Sequence, residues 1–418
     1  MAVRTSSPRD RRLEWLLSSS AIGNLADGIG KVAFPLLATT LTHDPVQIGA
    51  LSATQFAPWL LFGLLAGALV DRVDRRRAML LANVGRSVVI GLTTIGVWTG
   101  SISIWLVYVA AMLLGTAETI AESAGNALIP AVAGQDRLES ANSKFQAAEI
   151  LGQVFLGGPV GSATFALFAA FPFLLNSAGF VVAAVLLLGL TGRYRPNEGA
   201  APTKLRADLV DGLNWLARAP LLRRLVIIGG LTALTGELAQ AQLVLYALDD
   251  LQLSNATFGL FAFVGGIGGL AGAALAPRLV TLTGRKPVLI GGIGVCGLAF
   301  AGMGLFRQPV VAAVLFGVFA GSVVAVNVVL ATARHALVPG ELLGRVLGAW
   351  RTVVWGAIPV GALLGGGLTR LLGSAGATFA VSGFLQIALA GFAVPALRRF
   401  SLSAEPAHDQ HRGAERSH

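Results

Sequence analysis

Acidic and basic residues stand inside long apolar runs of this chain: Asp27, Glu118, Glu122, Glu149 and Glu237, with Lys31, Arg86 and Arg351. A charge at the centre of a bilayer costs roughly 2.5–3.5 kcal/mol on insertion scales, so such residues pair, carry protons or touch a solute. Asp27 and Lys31 are spaced i, i+4, which puts them on one helix face as an expected ion pair. Asp27 is then either a proton carrier and substrate contact or half of a structural pair. Glu118 and Glu122 have the same spacing with like charge, and two carboxylates so close in low dielectric do not both ionise readily. Exchange of a proton near neutral pH is the chemistry such a pair offers. Arg86 or Lys144 is the alternative partner for them, and Glu149 is placed to share their network. Glu237, beside Gln240 and Gln242, reads as a cavity-wall acid or as a hydrogen-bond partner of a neighbouring span. Arg351 lies near a span end, where it can snorkel.

The elements that position these residues follow from composition. Of 418 residues, 55% are hydrophobic and only 12% charged, and the mean hydropathy is +0.73. Soluble domains carry about 25% charged residues, so the chain reads as an all-α polytopic membrane protein. A span needs about 20 mostly apolar residues. Segments near 14–41, 47–70, 78–99, 103–128, 143–168, 172–192, 223–248, 256–280, 286–306, 309–333, 345–371 and 374–397 meet that need, predicting twelve transmembrane helices. The first is read as a retained span rather than a signal peptide, because it is too long and holds Asn24, Asp27 and Lys31.

Charge gives the sides. Lys and Arg concentrate in alternate loops, with Arg307 and Arg370 as the two exceptions. The positive-inside rule then places both termini in the cytoplasm of a cell membrane. The net charge of +10 reports those loops, not nucleic-acid binding. "LTHDPVQIG" (41–49) and "LQLSNATFG" (251–259), like "ALIP" (127–130) and "ALVP" (336–339), recur at an offset of about 210 residues. The expected organisation is therefore two pseudo-symmetric six-helix bundles, 1–192 and 223–397. A basic linker, 193–222, joins them through an amphipathic helix bearing Leu205, Leu209, Leu213 and Leu216, and a disordered cytoplasmic tail, 398–418, follows.

One short turn is unusually dense in charge. Gly67-x-x-x-Asp71-Arg72-x-Asp74-Arg75-Arg76 lies between the second and third spans. Gly67 permits close helix approach. Asp71 ends its span where it can pair with Arg or cap a neighbouring helix, the start of span eleven near Gly344-Arg345 being the candidate. Such a cluster would latch the halves at the cytoplasmic side. Glycines in spans two, five, eight and eleven suggest a sliding contact between halves. Gly157-Gly158-Pro159-Val160-Gly161 predicts a kink in span five, since Pro159 removes a helix hydrogen bond.

With twelve spans in two halves and this loop motif, the chain resembles the major facilitator superfamily of transporters over about 14–397. "DRVDRRR", "ALIP…LESANS" and "LVPGELLGRVLG" resemble its drug-efflux and siderophore-export branch. The Gly-Pro stretch resembles the motif of its antiporters. Asp74 stands where the family pattern usually has Gly, and span four lacks the Arg that drug antiporters of the family commonly carry. Any proton coupling would therefore use a local arrangement, with Glu118 and Glu122 foremost. The resemblance implies alternating-access export of a small amphiphilic organic compound (drug, antibiotic or siderophore-like) by a monomer, driven by proton antiport and needing no cofactor. The acid-rich cavity favours cationic or neutral solutes. Uptake by symport is the alternative transporter reading. A membrane-embedded enzyme would need an Asp-rich metal motif or a His/Asp cluster, and a pump driven by ATP would need a P-loop; the sequence shows none of these. The lone Cys296 reads as a packing residue.

Overall fold

A computed structural model describes residues 8–70, 72–195, 205–338 and 342–398. Among them the chain is helical without strands. The helices are α1 (Pro8–Leu41), α2 (Pro45–Val70), α3 (Arg75–Trp98), α4 (Ile104–Ala133), α5 (Leu138–Glu149), α6 (Gly158–Leu167), α7 (Phe171–Leu188), α8 (Leu205–Arg218), α9 (Pro220–Gln240), the short α10 (Leu243–Leu245), α11 (Asn255–Thr283), α12 (Arg285–Leu305), α13 (Pro309–Leu337), α14 (Leu343–Leu372) and α15 (Ala375–Leu397). A wide-turn π segment, Ile150–Gly157, joins α5 to α6 into one continuous rod. Among the described residues nine helices are long and apolar enough to cross a membrane. These are α3, α4, the α5–α6 rod, α7 and α11 to α15.

Helix starts follow local chemistry. Asp74, Ser103, Ser254, Gln308 and Ser374 each accept from a backbone N–H in the first turn of α3, α4, α11, α13 and α15. That satisfies one of the otherwise orphaned donors at each start. The outer surface carries large apolar side chains such as Leu167, Leu282 and Leu371, as a surface facing lipid hydrocarbon requires.

The connections sort onto two ends. One end carries the α2–α3, α4–α5, α7–α9, α11–α12 and α13–α14 links and most of the loop Arg and Lys residues; it is termed the basic end. At the opposite end a single buried core runs through residues of α1 to α4, α6, α7, α9 to α13 and α15, including Phe34, Phe173, Tyr246, Phe300 and Phe379. At the basic end the core is split. One cluster holds Leu16, Val70, Leu128 and Leu187; a separate one holds Leu225, Leu289, Trp350 and Leu397. Among the described residues the buried core thus joins the helices before and after the 193–222 link at one end and is divided between them at the other.

Residues 205–218 form α8, which lies against the start of α14. Gly212 abuts the Arg345 carbonyl, and Arg345 pairs with Asp211 at 3.6 Å. Leu216 is buried and Leu213 exposed; the side chains of Leu205 and Leu209 lie outside the described residues, as does the 399–418 tail.

Candidate functional site

Two cavities collect the ionisable residues. The first, about 210 Å³, lies among α1, α3, α4 and the α5–α6 rod toward the basic end. Its wall carries Asp27 on α1, Arg86 on α3, Glu118 and Glu122 on α4, Glu149 on α5 and Gln153 in the π segment. The expected Asp27–Lys31 pair does not form. Asp27 Oδ1 instead accepts from Arg86 Nη2 at 2.9 Å, and the same nitrogen lies 4.0 Å from Glu118 Oε2. Arg86 is 5% exposed, Asp27 19% and Glu118 32%. The Arg86 guanidinium also lies 4.5 Å above the Phe180 ring. One nitrogen of an arginine on a neighbouring helix thus bonds one carboxylate and lies at ion-pair distance from a second. The arrangement is a cation held between two acids, beside two further carboxylates. A proton gained or lost by one acid changes what Arg86 must bind. Glu149 takes a 3.5 Å hydrogen bond from Gln146.

Lys31 turns the other way. Its Nζ donates to Gln153 Oε1 at 2.5 Å, and Gln153 Nε2 donates to Asn24 Oδ1 at 2.9 Å. Gln153 and Asn83 were not singled out from sequence; a polar amide inside an apolar run was the available signal. The π segment brings Gln153 to α1. Pro159 has no N–H to give, and the turn before it widens. Gly28 and Gly157 then let α1 and this rod touch backbone to backbone.

The second cavity, about 170 Å³, lies where α1 and α2 meet α9, α10 and α11. Lys31, Ser52, Gln55 and Gln240 supply its polar wall, and Leu51, Val244 and Phe258 its apolar one. Beside it Ser52 Oγ donates to Glu237 Oε1 at 2.6 Å, so Glu237 is bonded across from α9 to α2. Arg351 stacks 5.4 Å from the Trp355 ring, whose edge meets Trp59.

The charged turn at the basic end is bonded to α4, α7 and the stretch after α7. Asp74 caps Arg77 N at 3.1 Å and accepts from Tyr194 N at 2.9 Å. Burial pushes its carboxyl up, but the N–H donors of Tyr194 and Arg77 and the Arg77 charge outweigh burial and hold it below the ordinary value. Arg75 reaches the Ala127 carbonyl at 3.4 Å, and Arg76 the carbonyls of Leu187 and Leu188 at 2.8 and 2.9 Å. Arg72 is exposed. Asp71 lies outside the described residues, as do the surroundings of Gly67.

At the opposite end, contacts join helices before and after the α8 link. Asp44 pairs with Arg370, and His43 Nδ1 lies 3.6 Å from Asp249 Oδ2. Gln242 Nε2 donates to the Pro45 carbonyl at 3.2 Å. Ser162 Oγ donates to the Asn255 carbonyl and accepts from Gly259 N at 2.9 Å. A Cβ on Gly259 would sit 2.5 Å from the Gly158 carbonyl, and one on Gly366 would sit 2.5 Å from that of Pro45.

Residues 16–332 match the Major Facilitator Superfamily. The chain belongs to that superfamily. Its members are transporters, not enzymes, and this one is a multi-pass membrane protein. It is 26% identical over 411 residues to the multidrug efflux pump Tap of Mycobacterium tuberculosis, covering 93% of this chain and 95% of that one. To the enterobactin exporter EntS of Shigella boydii it is 26% identical over 356 residues, with 82% of each chain covered. The superfamily fold is seen again in solved structures. A mutant of the nucleoside transporter NupG superposes with a TM-score of 0.76 at 13% identity, over 92% of this chain and 99% of the other. A bacterial homologue of the iron transporter ferroportin, in an inward-facing state, gives 0.68 at 17% identity over 92% and 100%.

Proposed function

We propose that this chain is a secondary active exporter of a small amphiphilic organic compound, working by alternating access and proton antiport. The nine apolar spans together with α1, α2 and α9 make twelve, arranged as bundles of six before and after the α8 linker. The basic end faces the cytoplasm with both termini. The chain acts as a monomer in the cell membrane, without a cofactor or a nucleic-acid partner.

One observation carries the reading. The buried core is continuous between halves at one end and divided at the basic end, with the acid-walled cavity on the divided side. That is the geometry of a carrier caught open to one compartment. Export and proton drive are supported by the efflux relatives and by the Asp27–Arg86–Glu118 cluster, where a carboxyl can trade its proton for a bound solute. Asp71, Arg72 and their neighbours latch the basic end when it closes. Asp71→Asn is then expected to lower transport with membrane insertion unchanged.

The test is accumulation of a panel of antibiotics and dyes in a pump-deficient host, with and without a protonophore. The chain should lower accumulation of at least one compound, the protonophore should restore it, and Glu118→Gln with Glu122→Gln should mimic the protonophore. Efflux unchanged by all three removes these acids and the proton from the mechanism. Accumulation that rises with the chain reverses the direction.

A further inference from the structure

The acids explain one side of the intramembrane charge but leave Lys31 over. Its expected partner, Asp27, is taken by Arg86. Among the described residues Lys31 makes no ion pair within 4.0 Å, and the hydrogen bond it does make is to a neutral amide, Gln153. An ammonium has three donors. Gln153 takes one. The side chain is exposed to the second cavity, while Val32, Ala33 and Phe34 beside it are buried. Asp27 and Glu122 feel its charge only through space, and a mid-span ammonium with donors left open is costly unless something answers it. The acids of the first cavity suit cationic or neutral solutes; Lys31 adds a cation to the lining of the second.

The cavity around Lys31 is built for more than water. Leu51, Val244 and Phe258 line it together with the amides of Gln55 and Gln240. Gln240 Oε1 is buried without a hydrogen-bond donor among the described residues. An apolar wall with few convergent polar groups orients an amphiphile. Gln153, which holds the ammonium, lines the first cavity while Lys31 lines the second, and a bound anionic oxygen would gain the two donors that remain.

We infer that Lys31 selects substrates bearing a carboxylate or similar anionic oxygen group, with the compound's apolar body against Leu51, Val244 and Phe258. This rests on the transport reading and names its substrate class. An ester of the same compound would lose the charge-assisted hydrogen bond, a difference of about tenfold in affinity.

Rhodamine B and its ethyl ester test this, since they share a body and differ at the carboxylate. Binding is measured by fluorescence polarisation on the purified full chain, and export is measured separately in cells. Wild type should bind the free acid about tenfold tighter than the ester. Lys31→Gln should abolish the preference while ester binding stays within about twofold, and Lys31→Arg should keep the preference. Equal binding of the two dyes by wild type, including binding of neither, overturns the inference. So does a preference that survives Lys31→Gln, or a loss of both dyes together. A Lys31-dependent preference without export would uphold the assignment and contradict the export reading alone.

Discussion

At the residue scale, the Arg86 guanidinium sits between Asp27 and Glu118. Helical spacing offered Lys31 to Asp27, and a tertiary neighbour, Arg86, took the place with a nitrogen that also lies at ion-pair distance from Glu118. Local periodicity carries no information about a side chain 59 residues away. Removing one partner of a buried pair leaves the other charge uncompensated. Arg86→Gln should therefore destabilise the purified protein by about 3 kcal/mol. Adding Asp27→Asn should return a good part of that loss, as read from unfolding in detergent; simple addition of the two losses would show that the pair is not coupled. Asp74 provides a pH test outside the membrane. Its carboxyl is held below 3.8, so its contribution is complete above 3.8 and fades as pH falls through the lower folded value. Asp74→Ala should cost about 1 kcal/mol at neutral pH by loss of the α3 cap. The gap from wild type should persist down to about pH 5 and close in stronger acid. A gap that widens on acidification would reverse the assigned sign.

At the element scale, spans were easy to read and their irregularities were not. Pro159 announced a kink, yet the distortion lies before it, in Ile150–Gly157, and its effect is to carry Gln153 to α1. Glycine runs announced close packing without saying against what. Gly361 and Gly365 meet the Leu234 and Leu238 carbonyls on α9, inside the second half, while Gly366 meets Pro45 across the halves. The expected sliding surface is thus only part of what those glycines do. The α1 contact can be tested by adding one carbon. A Cβ on Gly28 would sit 2.6 Å from Gln153 Cα, whereas Gly23, on the same helix, has open space. Overpacking of this kind costs about 1–3 kcal/mol. Gly28→Ala should lower thermal stability in detergent, and Gly23→Ala should leave it unchanged or raise it slightly. Equal behaviour of the two would remove the contact.

At the scale of the whole molecule, hydropathy, charge sides and the repeat at about 210 residues pointed to the superfamily to which the chain belongs. How the two ends differ could not be read, because the joining pairs are remote in sequence: Asp44 and Arg370 are 326 residues apart. Arg370 was an exception to the charge rule, and its pairing gives it a place. With His43–Asp249 it forms a clasp of exposed contacts over the end opposite the basic loops, beside the continuous core. Arg370→Ala should weaken that clasp and favour the state closed at the basic end. The direct test is a pair of distance distributions from spin labels, in a background where the buried Cys296 is replaced. One pair, at Ser101 and Leu371, reports the clasped end; the other, at Arg77 and Leu282, reports the basic end. Opposed movement is predicted, with Arg370→Ala lengthening the first distance and shortening the second. Two ends that move together, or a clasp that opens with no change at the basic end, would contradict alternating access by rocking halves.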